Sequence, residues 1–284
     1  DQEIEEKGYL TFRLADEVSE FIERNAKKPF FAYLAFNAVH TPLQAPEEEI
    51  ARFNTADTTR NTMLAMVKCM DDAIGQVLET LDKKKLRDNT IIFFISDNGG
   101  ALAFGSENKP LRGGKHMDYE GGIRVPFYVS WPAKLKHAVC DDPVISLDIL
   151  PTCLESAGLD CGAAPFDGIN ILPALRGEQK LPERPMYWCG GSLDPWWAVR
   201  KGPWKLVGNK GKTELYKLND DIGETNNLAE SEPTIYAELK NLHDTWLASM
   251  KEPANERNQK RWTPGAPTKN DLKKQKNGNK KQKK

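Results

Sequence analysis

Apolar residues recur at three and four positions over 58–82, where Leu64, Val67, Met70, Ile74, Val77, Leu78 and Leu81 form one stripe. This spacing predicts a long amphipathic helix whose stripe packs on a sheet. Asp71 and Asp72 inside it are neighbours that point in different directions on a helix, so they read as structural rather than as a working carboxylate pair. A second helix is predicted over 9–26 from Leu14, Val18, Phe21 and Ile22, ending at Asn25 before Lys27-Lys28-Pro29. The unbroken apolar run 91–95, I-I-F-F-I, reads as a strand buried on both faces, of the kind found inside a parallel sheet. Residues 30–36 read as another buried strand and 125–131 as a third.

Between 146 and 158 the pattern S-L-D-I-L-P-T-C-L-E-S-A-G predicts a helix, with Asp148 as a cap, Pro151 in the first turn and Gly158 past the end. Residues 165–178 form a connector. Beyond it the pattern changes to short runs at 186–188, 196–200, 205–207 and 214–218, separated by Gly and Asn turns, then a helix over 233–250 with Ile235, Leu239, Leu242, Trp246 and Leu247 on one side. The expected organisation is an α/β domain over 1–180, a small antiparallel sheet with a covering helix over 181–250, and a basic disordered tail over 251–284. Trp196 and Trp197 invite a sugar-stacking reading, but sheet core and domain packing is the favoured one. R-K-G-P-W-K-L-V reads as hairpin alternation around Gly202 rather than an anion-binding run.

The chemistry gathers at the ends of these strands. Ser96-Asp97-Asn98-Gly99-Gly100 closes the run 91–95, where open α/β sheets place their ligands. Asp97 and Asn98 both offer oxygen ligands, which suit a hard cation such as Ca²⁺ or Mg²⁺. On its own the D-N-G-G string is more often a turn than a metal site. A Gly-bracketed Lys115, then Tyr119-Glu120-Gly121-Gly122 and another strand, make a compact arrangement for an anion beside a cation. His40, in N-A-V-H-T-P beyond the run 30–36, is expected on the same rim as Asp97.

Charge sharpens the picture. Of the 40 Lys and Arg and 41 Asp and Glu, residues 251–284 hold 12 and 3, leaving 28 cations against 38 anions in the body. The acidic body argues against a nucleic-acid-binding core. The tail is read as a solvated end, with binding of a polyanion or a surface as the alternative. No window is apolar over the roughly 18 residues that a membrane span needs. The chain opens D-Q-E-I-E-E-K without Met, acidic where a secretion signal is basic, so it is expected to begin in mid-protein. Five cysteines show no C-x-x-C spacing; Cys140 and Cys161, in loop-like surroundings, either pair or remain thiols.

Together, S-D-N-G-G, P-L-R-G-G-K, Y-E-G-G-I-R-V-P, P-F-F-A-Y-L-A-F-N-A-V-H-T-P, D-G-I-N-I-L-P-A-L-R-G and R-K-G-P-W-K-L-V resemble the sulfatase family, arylsulfatases and N-acetylgalactosamine-6-sulfatases among them, within the alkaline-phosphatase-like superfamily. The resemblance runs from about Tyr9 to Leu247. It implies an incomplete alkaline-phosphatase-like sandwich around a mostly parallel sheet. It also implies hydrolysis of a sulfate ester of a carbohydrate or aryl alcohol, through a formylglycine nucleophile and one Ca²⁺, in a periplasmic or extracellular setting. By the same resemblance Asp97 and Asn98 are the later half of the metal site, Lys115 contacts the sulfate, and His40 protonates the leaving oxygen. Arg112 and His116 are substrate-rim candidates, His116 standing where many relatives have glycine. Asn98 favours a hard cation over Zn²⁺, which would call for imidazole there.

The resemblance also implies what is missing. No cysteine is followed by x-P-x-R, and Ser130-Trp131-Pro132-Ala133-Lys134 approaches S-x-P-x-R but ends in lysine at a strand exit. The chain is expected to be the carboxyl-terminal portion of a sulfatase, lacking the amino-terminal half with its two aspartates and nucleophile. It should therefore be inactive alone.

Overall fold

The computed structural model describes residues 7–159, 166–190 and 196–251. Cys161 and the tail beyond Lys251 lie outside the described residues; Cys140 carries an exposed free thiol. In chain order the elements are α1 (Leu10–Asn25), α2 (Glu47–Ile50), α3 (Thr58–Lys83), β1 (Ile92–Ile95), α4 (Glu120–Ile123), β2 (Phe127–Ser130), α5 (Ile149–Ser156), α6 (Leu172–Leu175), β3 (Pro185–Cys189), β4 (Trp197–Lys201), β5 (Trp204–Asn209), β6 (Lys212–Lys217) and α7 (Pro233–Ser249). They fall into two compact units. One holds Asp1–Ile95, Ala101–Glu107 and Pro126–Lys180; the other holds Ser96–Gly100, Asn108–Val125 and Leu181–Lys284. The second unit thus takes in the two loops 96–100 and 108–125 besides the chain from Leu181 onward.

In the first unit α3 begins where Asp57 Oδ1 accepts the amides of Thr59 at 2.9 Å and Arg60 at 3.2 Å, satisfying two of the donors a helix start leaves open. Its deeply buried line is Asn61, Ala65, Cys69 and Ala73, spaced by four. These are short side chains that let α1 lie close, and Gln76 Nε2 donates to Asp16 Oδ1 at 2.8 Å across the pair. The larger stripe expected to pack on a sheet is only half covered. Val67, Met70, Asp71 and Ile74 line, with Phe94 of β1, an open cavity of about 290 Å³. Gly75 sits mid-helix with open space where a Cβ would go. Gly75→Ala is therefore expected to stabilise the protein by about 0.5–1 kcal/mol, read by urea denaturation, because it removes glycine's entropy cost in a helix.

Two expectations are corrected here. The run 91–95, read as a strand of the kind found inside a parallel sheet, pairs antiparallel with β2, Ile92 opposite Ser130 and Ile95 opposite Phe127. A parallel pair needs a long crossover, usually helical, and the chain between β1 and β2 supplies glycine loops and one helical turn instead. Residues 30–36 form no strand. Their backbone has no strand partner among the described residues, and Phe31 and Tyr33 are 71% and 84% exposed. Further on, Asp148 is fully buried and its carboxylate accepts the amides of Ile145 and Ile169, each at 2.9 Å. It thus ties the D-G-I-N segment to the start of α5.

The second unit is built on an antiparallel sheet in the order β3-β4-β5-β6. Alternation gives it two faces. Val199, Leu206 and Leu215 point to one side and close a core with Leu239 of α7. Trp197 stacks on His243 at 3.8 Å and Tyr187 on Trp246 at 4.8 Å on that side. Ala198, Val207 and Tyr216 point to the other side, where Tyr119 closes a second core with Trp188 and Trp196 packed against it. Both tryptophans of the 196–197 pair thus pack within the unit. The β4–β5 hairpin turns at Gly202, whose φ of +54° is the left-handed conformation that glycine adopts without strain.

Candidate active-site loops

The D-N-G-G turn and the Lys115 loop are laid backbone on backbone inside the second unit. Gly99 N donates to Gly122 O at 2.9 Å, and Lys115 N to Gly100 O at 3.2 Å. Asn108 staples the same contact from the side: its Oδ1 accepts Gly100 N at 2.9 Å while its Nδ2 donates to Gly100 O at 2.9 Å and Gly113 O at 3.1 Å. The loop folds on itself through Gly121 N to Arg112 O at 2.8 Å and Gly122 N to Tyr119 O at 2.8 Å. The glycines are sterically required. A Cβ on Gly99 would stand 1.8 Å from Gly121 O, and one on Gly122 would stand 1.9 Å from Met117 O.

This lock carries the candidate residues. Asp97 is exposed. Asn98 Nδ2 donates to Gly99 O at 3.0 Å, which leaves its Oδ1 free of hydrogen bonds from the described residues. The two offer hard oxygen donors that fit Ca²⁺ chemistry, but they fall short of the roughly six to eight oxygens that Ca²⁺ takes. Among the described residues no group of three or more His, Cys, Asp and Glu side chains is placed to hold a metal ion. Lys115 is half-buried and forms no ion pair with any described residue, so its ammonium is available to an anion. His116 is exposed at φ +74°, a left-handed conformation for which glycine is the natural occupant.

Arg112 is committed within the unit. One guanidinium nitrogen donates to Tyr216 Oη at 2.7 Å and to Glu224 O at 2.8 Å, and its centre lies 3.9 Å over the Tyr119 ring. Tyr119 Oη in turn donates to Glu214. His40 belongs to the first unit, where it is exposed and its Nδ1 donates to Thr41 O at 2.8 Å. A carbonyl oxygen only accepts, so that bond places a proton on Nδ1.

Sequence reasoning missed the ionic cluster beneath the loop. Lys205, read as one residue of a hairpin, is 0% exposed; its ammonium lies 2.8 Å from Glu120 Oε1 and 2.9 Å from Glu224 Oε1. Glu120 is 2% exposed and Glu224 0%. Glu224 Oε2 also accepts the Glu120 amide at 2.6 Å. Arg200 lies 3.9 Å and Arg124 3.5 Å from Glu120 Oε2. One signal was present: Lys205 shares strand parity with Val207, which puts a charge on an apolar face. Burial raises the Glu224 carboxyl above its ordinary range against the pull of Lys205.

Asp118, on the same loop, is 8% exposed, and its Oδ2 accepts no hydrogen bond from any described residue. Burial pushes its pKa up to about 6, with Lys205 acting the other way. The folded carboxyl therefore keeps its proton where the unfolded one, at 3.8, has released it. The resulting stabilisation is complete below pH 4 and lost as pH rises through about 6. Asp118→Asn should accordingly gain on the parent between pH 4 and pH 7 by about 2–3 kcal/mol, from about two pKa units at 1.4 kcal/mol each. Paired urea titrations at the two pH values check this; a constant difference between the two proteins would contradict it.

The Sulfatase family model matches residues 1–159, and a model for the N-sulphoglucosamine sulphohydrolase C-terminal region matches 114–252. The chain is 30% identical over 259 residues to the N-acetylgalactosamine-6-O-sulfatase of Bacteroides thetaiotaomicron, covering 81% of this chain and 49% of that protein. It is 34% identical over 207 residues to the N-acetylgalactosamine-6-sulfatase of Canis lupus familiaris, covering 69% and 38%. The crystal structure of Ps i-CgsB in complex with k-i-k-neocarrahexaose superposes with a TM-score of 0.81 at 34% identity, over 86% of this chain and 56% of that one. The chain thus spans about half the length of the relatives it matches, and among its described residues no helix is long and apolar enough to cross a membrane. A family model over more than half of the sequence, relatives 30% and 34% identical over the aligned residues, and a common α/β fold together place the chain in the sulfatase family.

Proposed function

We propose that these 284 residues are the carboxyl-terminal part of a sulfuric ester hydrolase that cleaves a sulfated carbohydrate, or an aryl sulfate, outside the cytoplasm. The observation that carries this reading is the backbone lock joining D-N-G-G to the Lys115 loop, because it holds two oxygen donors and an unpaired ammonium on one rigid body. In this reading Asp97 and Asn98 supply part of a Ca²⁺ site, and the cation, when bound, offsets charge on the sulfate oxygens. Lys115 adds a second positive charge toward the same oxygens. His40, its Nδ1 proton held by Thr41, presents Nε2 to donate a proton to the departing alcohol oxygen. Arg112, held by Tyr216 and Glu224, shapes the loop rather than reaching for substrate, and His116 lies at the rim.

The nucleophile, a formylglycine, and the remaining metal ligands come in this reading from a preceding amino-terminal half of the same fold. The open cavity along α3 and the exposed Phe31 and Tyr33 support such a missing half, since each leaves apolar side chains uncovered. The carbohydrate preference rests on the relatives, two of which are named for N-acetylgalactosamine-6-sulfate ester cleavage.

The chain as it stands should show negligible turnover and bind Ca²⁺ more weakly than micromolar by calorimetry. A longer protein whose upstream region carries C-x-P-x-R, produced with that cysteine converted to formylglycine, should release sulfate. Lys115→Ala in that protein should lower kcat by about 10²–10³, as loss of one preorganised charge does elsewhere. Unchanged turnover in Lys115→Ala would remove the lysine from the site.

A further inference from the structure

The turn 119–123 has two kinds of anchor to the sheet. At its shoulders Tyr119 holds Glu214 and Arg112 holds Tyr216, contacts that survive if the middle is altered. In the middle, Glu120 Oε1 meets the Lys205 ammonium, and the Glu120 amide is capped by Glu224 Oε2, whose other oxygen, Oε1, lies against the same lysine. Burial of an ammonium and two carboxylates this completely is costly, and replacing such groups by apolar ones is often neutral or favourable for stability alone. Their geometric consequence is specific. The triad sets the height and rotation of the turn whose next residues, Gly121 and Gly122, receive Gly99 and close on Arg112. A shift there moves D-N-G-G and the Lys115 loop relative to each other, since a Cβ on Gly99, Gly121 or Gly122 would already meet backbone atoms within 3.0 Å.

We propose that Lys205, acting through Glu120 and Glu224, is a positioning residue for sulfate-ester cleavage: the buried triad sets the register in which Asp97, Asn98 and Lys115 face a common substrate. This rests on the sulfatase reading of those three residues. Lys205 touches no reacting atom in it.

The test uses Glu120→Gln/Lys205→Met/Glu224→Gln, in which the charges leave together, so that no carboxylate is stranded and the sheet stays folded. Hydrogen exchange on the 284-residue chain is read at the amides of Gly99, Lys115 and Gly121, and at the β4–β5 ladder as the internal reference. The expected result is a loss of protection of at least about tenfold at the three loop amides with the ladder unchanged within about twofold. In the longer, formylglycine-bearing protein the same variant should lower kcat for an aryl sulfate about tenfold or more with KM within about twofold. Loop protection equal to wild type, or an equal loss in loop and ladder, would overturn the positioning role. Absence of sulfate release by the unsubstituted longer protein would instead overturn the sulfatase reading on which the role depends, a result distinguishable because the exchange measurement needs no turnover.

Discussion

Lys205→Met alone should destabilise the second unit by about 3–5 kcal/mol, the range found when one partner of a buried ion pair is removed and its counter-charge is left in the interior. Two carboxylates at 2% and 0% exposure share this ammonium. Arg200, 3.9 Å from Glu120, is too distant to replace a 2.8 Å contact. One of the stranded carboxyls would take up a proton to escape the cost, so the deficit should shrink as pH falls toward 5. The triple variant should recover to within about 1–2 kcal/mol of the parent, because Met and two amides fill the same space without a stranded carboxylate. Urea denaturation of the three proteins at neutral and acid pH reads both effects. A single variant as stable as the parent would mean that the triad is not the dry ionic contact it is here.

Gly99→Ala should be comparably severe for a different reason. Its Cβ would stand 1.8 Å from Gly121 O, 2.8 Å from Gly121 C and 3.0 Å from Gly122 Cα, all of them backbone atoms of a loop packed on its other side. Relief requires moving the loop bodily and breaking the Gly99 to Gly122 hydrogen bond. Overpacking of about 1–3 kcal/mol together with a lost hydrogen bond of about 1 kcal/mol gives an expected cost of about 2–4 kcal/mol. The contrast with Gly75→Ala, where the added methyl meets open space, controls for any general effect of the substitution. Denaturation midpoints that move alike in the two variants would contradict the packing account.

Much of this fold was legible because period alone assigns a face. The stripe over 58–82 gave α3 nearly to its ends, and the short alternating runs past residue 180 gave the four-stranded meander and α7. What period does not carry is the identity of the partner. The run 91–95 reads identically in a parallel or an antiparallel pair, and 30–36 reads as a strand whether or not a neighbour supplies its hydrogen bonds. On α3 the apolar stripe was plain, yet the tightly buried line runs through Asn61, Ala65, Cys69 and Ala73, where small size rather than hydrophobicity decides the approach of α1. At the candidate site, Asp97, Asn98 and Lys115 were picked out by residue type and glycine spacing together with the family resemblance, not by the D-N-G-G string alone. Lys205, Glu120 and Glu224 did not, since a buried charge is legible only once its counter-charges are brought beside it from 85 residues away in sequence.

In the proposed reading Asp97, Asn98 and Lys115 serve a sulfuryl rather than a phosphoryl group. The most direct measurement gives the longer, formylglycine-bearing protein matched aryl sulfate and aryl phosphate esters in the presence of Ca²⁺. The account predicts sulfate release that exceeds phosphate release by orders of magnitude and falls when Lys115 is replaced by Ala. Release of phosphate but not sulfate would contradict it.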